Sequence, residues 1–146
     1  MSDNVRAASK QFYAGLNRML NGDAAPLADI WSHTRSVTVL QPIGGRQVGW
    51  DAVRGSFEEV AQLASGGKVD LWDQRIQVSG DFAYEVGVER GQFQLAGQQV
   101  AIEHRVTNIY QREDGAWKMI HHHTDTSPAM LDVLRRLQPP SKKAVG

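Results

Sequence analysis

Toward the end of the chain Arg105, His121, His123 and Asp125 stand among residues of strand-forming type, with Glu103 two positions before the arginine. Imidazole titrates near neutral pH, carboxylates move protons, and guanidinium grips a carboxylate or enolate in a fork. A set of this composition therefore suits proton transfer beside a carbonyl. His123 and Asp125 are the candidate acid and base, and Arg105 is the group that would orient charge. Plainer roles exist for each: His121 and His123 as hydrogen-bonded core histidines, Arg105 as the partner of Glu103 or Asp125. A carboxylate beside Arg105 stays ionised, which makes Asp125 a poor acid at neutral pH. The His-x-His spacing with Glu103 or Asp125 is also permissive for zinc or iron, but a triple histidine makes such spacing easy by chance, and neither a metal nor a cofactor is expected here.

These side chains must share a face to act together. The run Arg112-Glu113-Asp114-Gly115-Ala116 reads as a type I turn with Gly115 in the left-handed bulge position, pairing Arg112 with Ala116. Side-chain alternation then puts Glu103, Arg105, Thr107 and Ile109 on one face with Trp117, Met119, His121, His123 and Asp125. A hairpin at Ala96-Gly97 adds Tyr84, Val86, Val88 and Arg90 to it. The apolar members suggest that helices cover this face, leaving a pocket that is aromatic and aliphatic at one end and polar at the other. Its expected lining is Tyr13, Trp31, Trp50, Tyr84, Glu103, Arg105, Thr107, Met119, His121, His123 and Asp125. The opposite face, with Val100, Ile102, His104, Val106, Asn108, Tyr110, Ile120 and His122, is too apolar for water alone and reads as the convex, dimer-forming side. A two-residue loop at Asp114-Gly115 would instead move the pairing by one and exchange partners between faces.

The rest of the chain supplies the cover. Val5, Ala8, Phe12, Leu16 and Met19 keep helical spacing, Pro26 opens a short second helix through Trp31, and Trp50 to Ala64 repeats the helical pattern. Between them Val37 to Leu40 reads as a strand running into a turn at Pro42 and Gly44-Gly45. After Lys68 come four strands with turns at Gly80-Asp81, Ala96-Gly97 and Asp114-Gly115, then a short helix capped by Ser127-Pro128. Helices first and a meander afterwards is an α+β pattern with one core, expected over residues 1–138, with 139–146 as a mobile tail.

The 146 residues carry 16 basic and 16 acidic side chains, so nothing marks a nucleic-acid or anionic-membrane partner. The absence of cysteine rules out disulfides and thiolate chemistry, and the polar N-terminus without any long apolar run suggests the cytoplasm.

The order of elements, FYAGLN in the first helix and RVTNIYQREDGAWKMIHHHTD near the end together resemble SnoaL-like proteins of the nuclear transport factor 2-like superfamily, over nearly the whole chain. The last hairpin also resembles the association domain of calcium/calmodulin-dependent kinases at Arg105, Thr107, Asp114, Gly115, Trp117, His121 and His123. The resemblance implies a conical fold, with three N-terminal helices packed on a strongly curved, mainly antiparallel sheet around a deep pocket. It also implies a dimer formed through the sheet.

Two functions fit. One is a cofactor-independent isomerase, cyclase or dehydratase acting by proton transfer on a small apolar ligand with a carbonyl or carboxylate. The other is a noncatalytic dimeric module that captures a metabolite or serves as a sensing scaffold.

Overall fold

The computed structural model describes residues 2–137, so the tail expected from 139 onward lies outside the described residues. Helix α1 (Ser2–Met19) opens the chain because Val5, Ala8, Phe12, Leu16 and Met19 form one buried stripe. A 3-10 turn at Ala25–Asp29, with proline in its first turn, buries Leu27 against α1, where a side chain on Gly15 would meet Leu27 Cδ2 at 2.8 Å. Strands β1 (Thr38–Gln41) and β2 (Gly44–Val48) form a tight hairpin. The glycines expected as part of its turn begin β2 instead. Helix α2 (Trp50–Leu63) buries Trp50, Val53, Phe57 and Val60.

Four long strands follow: β3 (Ala64–Ser79), β4 (Phe82–Leu95), β5 (Gln98–Glu113) and β6 (Ala116–Thr124). Helix α3 (Pro128–Leu137) closes the described chain, its start capped where Ser127 Oγ accepts from Met130 N–H at 3.2 Å. The sheet has order β2-β1-β6-β5-β4-β3, antiparallel throughout except between β1 and β6, and its two ends do not meet. This is the expected α+β architecture, with α1, the 3-10 turn and α2 packed on one side of a curled sheet. Among the described residues no helix is long and apolar enough to cross a membrane.

Curvature has a local cause. Glycines occupy positions 87 and 91 of β4, where a Cβ would strike Trp72 O at 2.8 Å and Lys68 O at 2.0 Å. With no side chain there, β3 can fold over β4, and two irregularities in their pairing, between Ser65 and Lys68 and between Trp72 and Arg75, increase the bend.

The hairpin loops at Gly80-Asp81 and Ala96-Gly97 contain two residues each, as expected. The third differs. Glu113 pairs with Ala116, and Asp114 and Gly115 have φ of 50° and 82°, the left-handed pair that two-residue hairpins favour. Tyr110 then pairs with Met119 but Ile109 with His121, so Ile120 is an extra, bulged residue. The shorter loop and the bulge each move the register by one. Beyond the bulge His121 and His123 therefore return to the face of Thr107, Ile109, Tyr84 and Val86, as expected, while Trp117 and Met119 fall on the opposite one.

That opposite face is the helix-covered one. Ala83, Glu85, Glu89 and Phe93 of β4, Val100, Ile102, His104, Val106, Asn108 and Tyr110 of β5, and Trp117, Met119, His122 and Thr124 of β6 are all buried. The expected assignment of concave and convex sides is reversed. Without Trp117 and Met119 the outer face loses its largest apolar contribution, and Phe82 and Tyr84 remain about half exposed, at 50% and 49%.

Candidate functional site

The inner face carries a continuous buried polar network. Alternation along β4 points Glu85 and Glu89 inward, the same rule on β5 points His104, Asn108 and Tyr110 inward, and β6 adds His122. Helix α1 lowers Tyr13 onto them, and its hydroxyl donates to Glu89 Oε2 at 2.8 Å. Glu89 Oε1 lies 2.7 Å from Nε2 of His104. Asn108 Nδ2 donates to the Tyr13 hydroxyl oxygen at 3.1 Å and to Glu85 Oε1 at 3.0 Å, and Tyr110 donates to that same oxygen at 2.8 Å. Gln74 Nε2 donates to Glu85 Oε2 at 2.6 Å. Since the Asn108 amide nitrogen faces two oxygens, its Oδ1 is the acceptor 2.6 Å from His122 Nδ1, which must carry a proton.

Protonation follows from these bonds. Burial by itself pushes the Glu89 carboxyl up, but the bond from His104 and the nearby imidazoles and Tyr13 hydroxyl outweigh it and hold the group below its ordinary value. An ionised Glu89 only accepts, so His104 donates Nε2–H to it. Burial lowers His122 to about 4, so at neutral pH it is uncharged. With its proton on Nδ1, its Nε2 is a bare acceptor. Burial beside Glu89 raises the Tyr13 hydroxyl well above its ordinary value, so Tyr13 stays a donor. In the fully enclosed interior His104 Nδ1 has no hydrogen-bond partner.

Glu89, His104 and His122 form part of the wall of an internal cavity of about 40 Å³. The remaining wall is Gln41 and apolar side chains, among them Leu16 of α1, Phe57 and Val60 of α2, Phe93 and Ile102 of the sheet, Pro42 and Ile43 of the β1–β2 hairpin, and Met130 of α3. This volume holds roughly two or three waters, against about 300 Å³ or more for a pocket that encloses a drug-sized molecule.

The residues expected to line the pocket lie elsewhere. Arg105 and Asp125 form an exposed ion pair on the outer face, where Arg105 donates through Nε at 2.9 Å, Nη2 at 3.1 Å and its backbone N–H at 3.0 Å. Those bonds hold the Asp125 carboxyl down to about 2, an acceptor rather than an acid at neutral pH. Glu103 is exposed and 3.9 Å from Arg90. His123 is exposed, and His121 accepts from or donates to Thr38 Oγ1 at 2.6 Å through Nδ1. Arg105, Thr107, His123 and Asp125 border an open outer depression of about 500 Å³ with Val86 and Val88. Trp31, Trp50 and Met119 are buried core, with Trp31 packed 6.4 Å from Trp50 and 5.8 Å from Phe57, and Tyr84 faces outward. Of the eleven, Tyr13 alone joins the inner network, through Glu89 and Asn108. Among the described residues no three His, Asp or Glu side chains gather as metal ligands, and the rings of His121 and His123 are 6.1 Å apart.

A curled sheet roofed by helices over a cavity with a buried carboxylate and imidazoles defines a cone-shaped α+β protein. The SnoaL-like domain model matches residues 5–129, and the chain belongs to that family. No curated protein matches it. Among solved structures it is similar to a protein from Streptomyces avermitilis assigned as a dehydratase of the NTF2-like family, with 22% identity over 88% of this chain and 97% of that one and a TM-score of 0.75. It is also similar to an assigned calcium/calmodulin-dependent protein kinase type II association domain from Thiobacillus denitrificans, at 21% identity, 83% and 93% coverage and a TM-score of 0.69. An assigned ketosteroid isomerase from Shewanella frigidimarina matches at 18% identity, 82% and 92% coverage and a TM-score of 0.65. At these identities the likeness is one of fold.

Proposed function

We propose that the protein binds a small, largely apolar molecule inside the cone and that His104, held by Glu89, exchanges a proton with it, as an isomerase, cyclase or dehydratase does next to a carbonyl. The observation that carries this reading is the enclosed His104 Nδ1, without a partner, on a side chain of the cavity wall. A buried nitrogen of this kind costs free energy unless something meets it, and a ligand or water in the cavity is the available candidate. Glu89 fixes the imidazole tautomer and would stabilise the cation formed when Nδ1 takes a proton.

A ligand larger than a few waters needs more space, and the side chains to move are Met130, Pro42 and Ile43, which come from a hairpin and a terminal helix rather than from the central strands. Native mass spectrometry of the purified protein tests the reading. A small-molecule adduct is expected, and Met130→Trp should remove it. A protein that stays bare, and that gains no thermal stability from any compound in an apolar library, would end the proposal.

A second reading, the noncatalytic dimeric module, is favoured by the outer face. Trp72, Phe82 and Tyr84 are each about half exposed there, beside Val86 and Val88. Sedimentation at micromolar concentration should give a dimer that Tyr84→Asp splits, and a wild-type monomer would count against it.

A further inference from the structure

The donors and acceptors around the cavity are unequally committed. Tyr13 gives its hydroxyl proton to Glu89, Asn108 gives its amide protons to Tyr13 and Glu85, and Tyr110 gives its own to Glu85. His104 gives Nε2–H to Glu89 and His122 gives Nδ1–H to Asn108. Every N–H and O–H of the side chains of Tyr13, His104, Asn108, Tyr110 and His122 is thus used within the protein, and the two buried donors without a partner, Trp31 Nε1–H and Thr124 Oγ1–H, are not part of the cavity wall. What remains is His104 Nδ1 and His122 Nε2, two nitrogens that in neutral imidazoles only accept. The cavity wall contains the carboxylate of Glu89 and no lysine or arginine. Its one other polar side chain, Gln41, is neutral and gives one of its two amide protons to Ser56 Oγ at 3.0 Å.

We propose that the cavity takes an uncharged ligand that donates a hydrogen bond, namely a phenol, an enol or an N–H heterocycle, and refuses carboxylates, an inference that rests on the cavity being the ligand site. A carboxylate would enter a buried space already holding one negative charge, with no lysine or arginine to balance it, and would face the lone pairs of two bare nitrogens with its own. A carboxylate ligand needs Arg105 inside, and Arg105 is on the outer surface. A hydroxyl ligand satisfies one bare nitrogen directly. When its O–H proton passes to His104 Nδ1, the electron pair stays on the ligand oxygen, and the imidazolium lies between that oxygen and Glu89. No other reactant is consumed.

Three probes of one ring size separate the possibilities: 4-nitrophenol, nitrobenzene and 4-nitrobenzoate, titrated into the full chain below the pH at which free nitrophenol ionises. The phenol is expected to bind about tenfold more tightly than nitrobenzene, the worth of one good hydrogen bond in a buried site. It should also show phenolate absorption when bound, with 4-nitrobenzoate not binding measurably. His104→Gln keeps an amide donor for Glu89 and should abolish the phenolate signal, while Met130→Trp should block all binding. Nitrobenzoate binding as tightly as nitrophenol, or nitrophenol binding no better than nitrobenzene, overturns the preference for neutral donors and leaves the cavity a ligand site. If none of the three binds to either the wild type or Met130→Ala, the ligand-site reading itself falls, and this inference with it.

Discussion

His104 and Arg105 are adjacent in sequence and belong to two polar groups on opposite faces of the same strands. The inner group, Glu89, His104, Asn108, His122 and Tyr13, is enclosed and hydrogen-bonded from member to member. In the outer group Arg105 and Asp125 meet in bulk water, the arginine side chain 82% exposed. Both contain a carboxylate beside a basic side chain, yet their energetics differ. Inside, removing one member strands a desolvated charge or donor, whereas outside water replaces what is lost. Loss of a partner is therefore costly inside and cheap outside.

The sharpest way to break this contrast is Glu89→Ala. It leaves His104 Nε2–H and the Tyr13 hydroxyl without their acceptor, and a loss of about 2–6 kcal/mol in urea unfolding is expected, the scale for two buried donors left unsatisfied. A loss no greater than that of an outer-face substitution would mean that the network contributes little.

Acid should separate the faces next. The His122 imidazole titrates near 4 when folded against about 6.5 when free, so the unfolded chain takes up a proton that the folded one refuses. Stability from this group is complete above about pH 6.5 and is lost as pH falls toward 4, by up to about 3 kcal/mol. The lowered Glu89 adds a loss in the same direction below its ordinary range. Urea midpoints measured from pH 7 to 4 should fall accordingly, and His122→Phe should flatten the slope.

Tyr110→Phe removes one of three donors to Glu85 and should cost about 1 kcal/mol, read as a small shift of the melting curve. Smallest of all is the outer pair. Arg105→Ala and Asp125→Ala should each leave the urea midpoint within error, and a resolvable loss would show that this face is covered, as by a second copy of the chain.

Much of this was open to reading along the chain. The stripe Val5–Met19, the proline after Asn21-Gly22-Asp23, the Ser127-Pro128 cap and the loops at Gly80-Asp81 and Ala96-Gly97 all formed where local chemistry placed them. Alternation also grouped Arg105, Thr107, His121 and His123 correctly with Tyr84 and Val86. Counting Trp117 and Met119 with that group predicts the wrong side for it, because the bulge at Ile120 places both on the face opposite to it. A signal for the right choice exists within β5 alone. Its even positions, Val100, Ile102, Val106 and Tyr110, make a longer apolar stripe than Gln99, Ala101, Arg105 and Thr107. His104 and Asn108 interrupt the buried stripe, and a polar residue on a core stripe marks a network or a site.

By itself the order of residues determined the elements, the turns at Gly80-Asp81 and Ala96-Gly97 and which side chains of β4 and β5 share a face, since these depend on neighbours a few positions apart. Only the tertiary structure decided which face the helices cover and that an extra residue at Ile120 divides β6 between the two. Covering a face is a contest between apolar surfaces far apart in the chain, and a bulge is a mismatch between two strands, so neither belongs to any single segment.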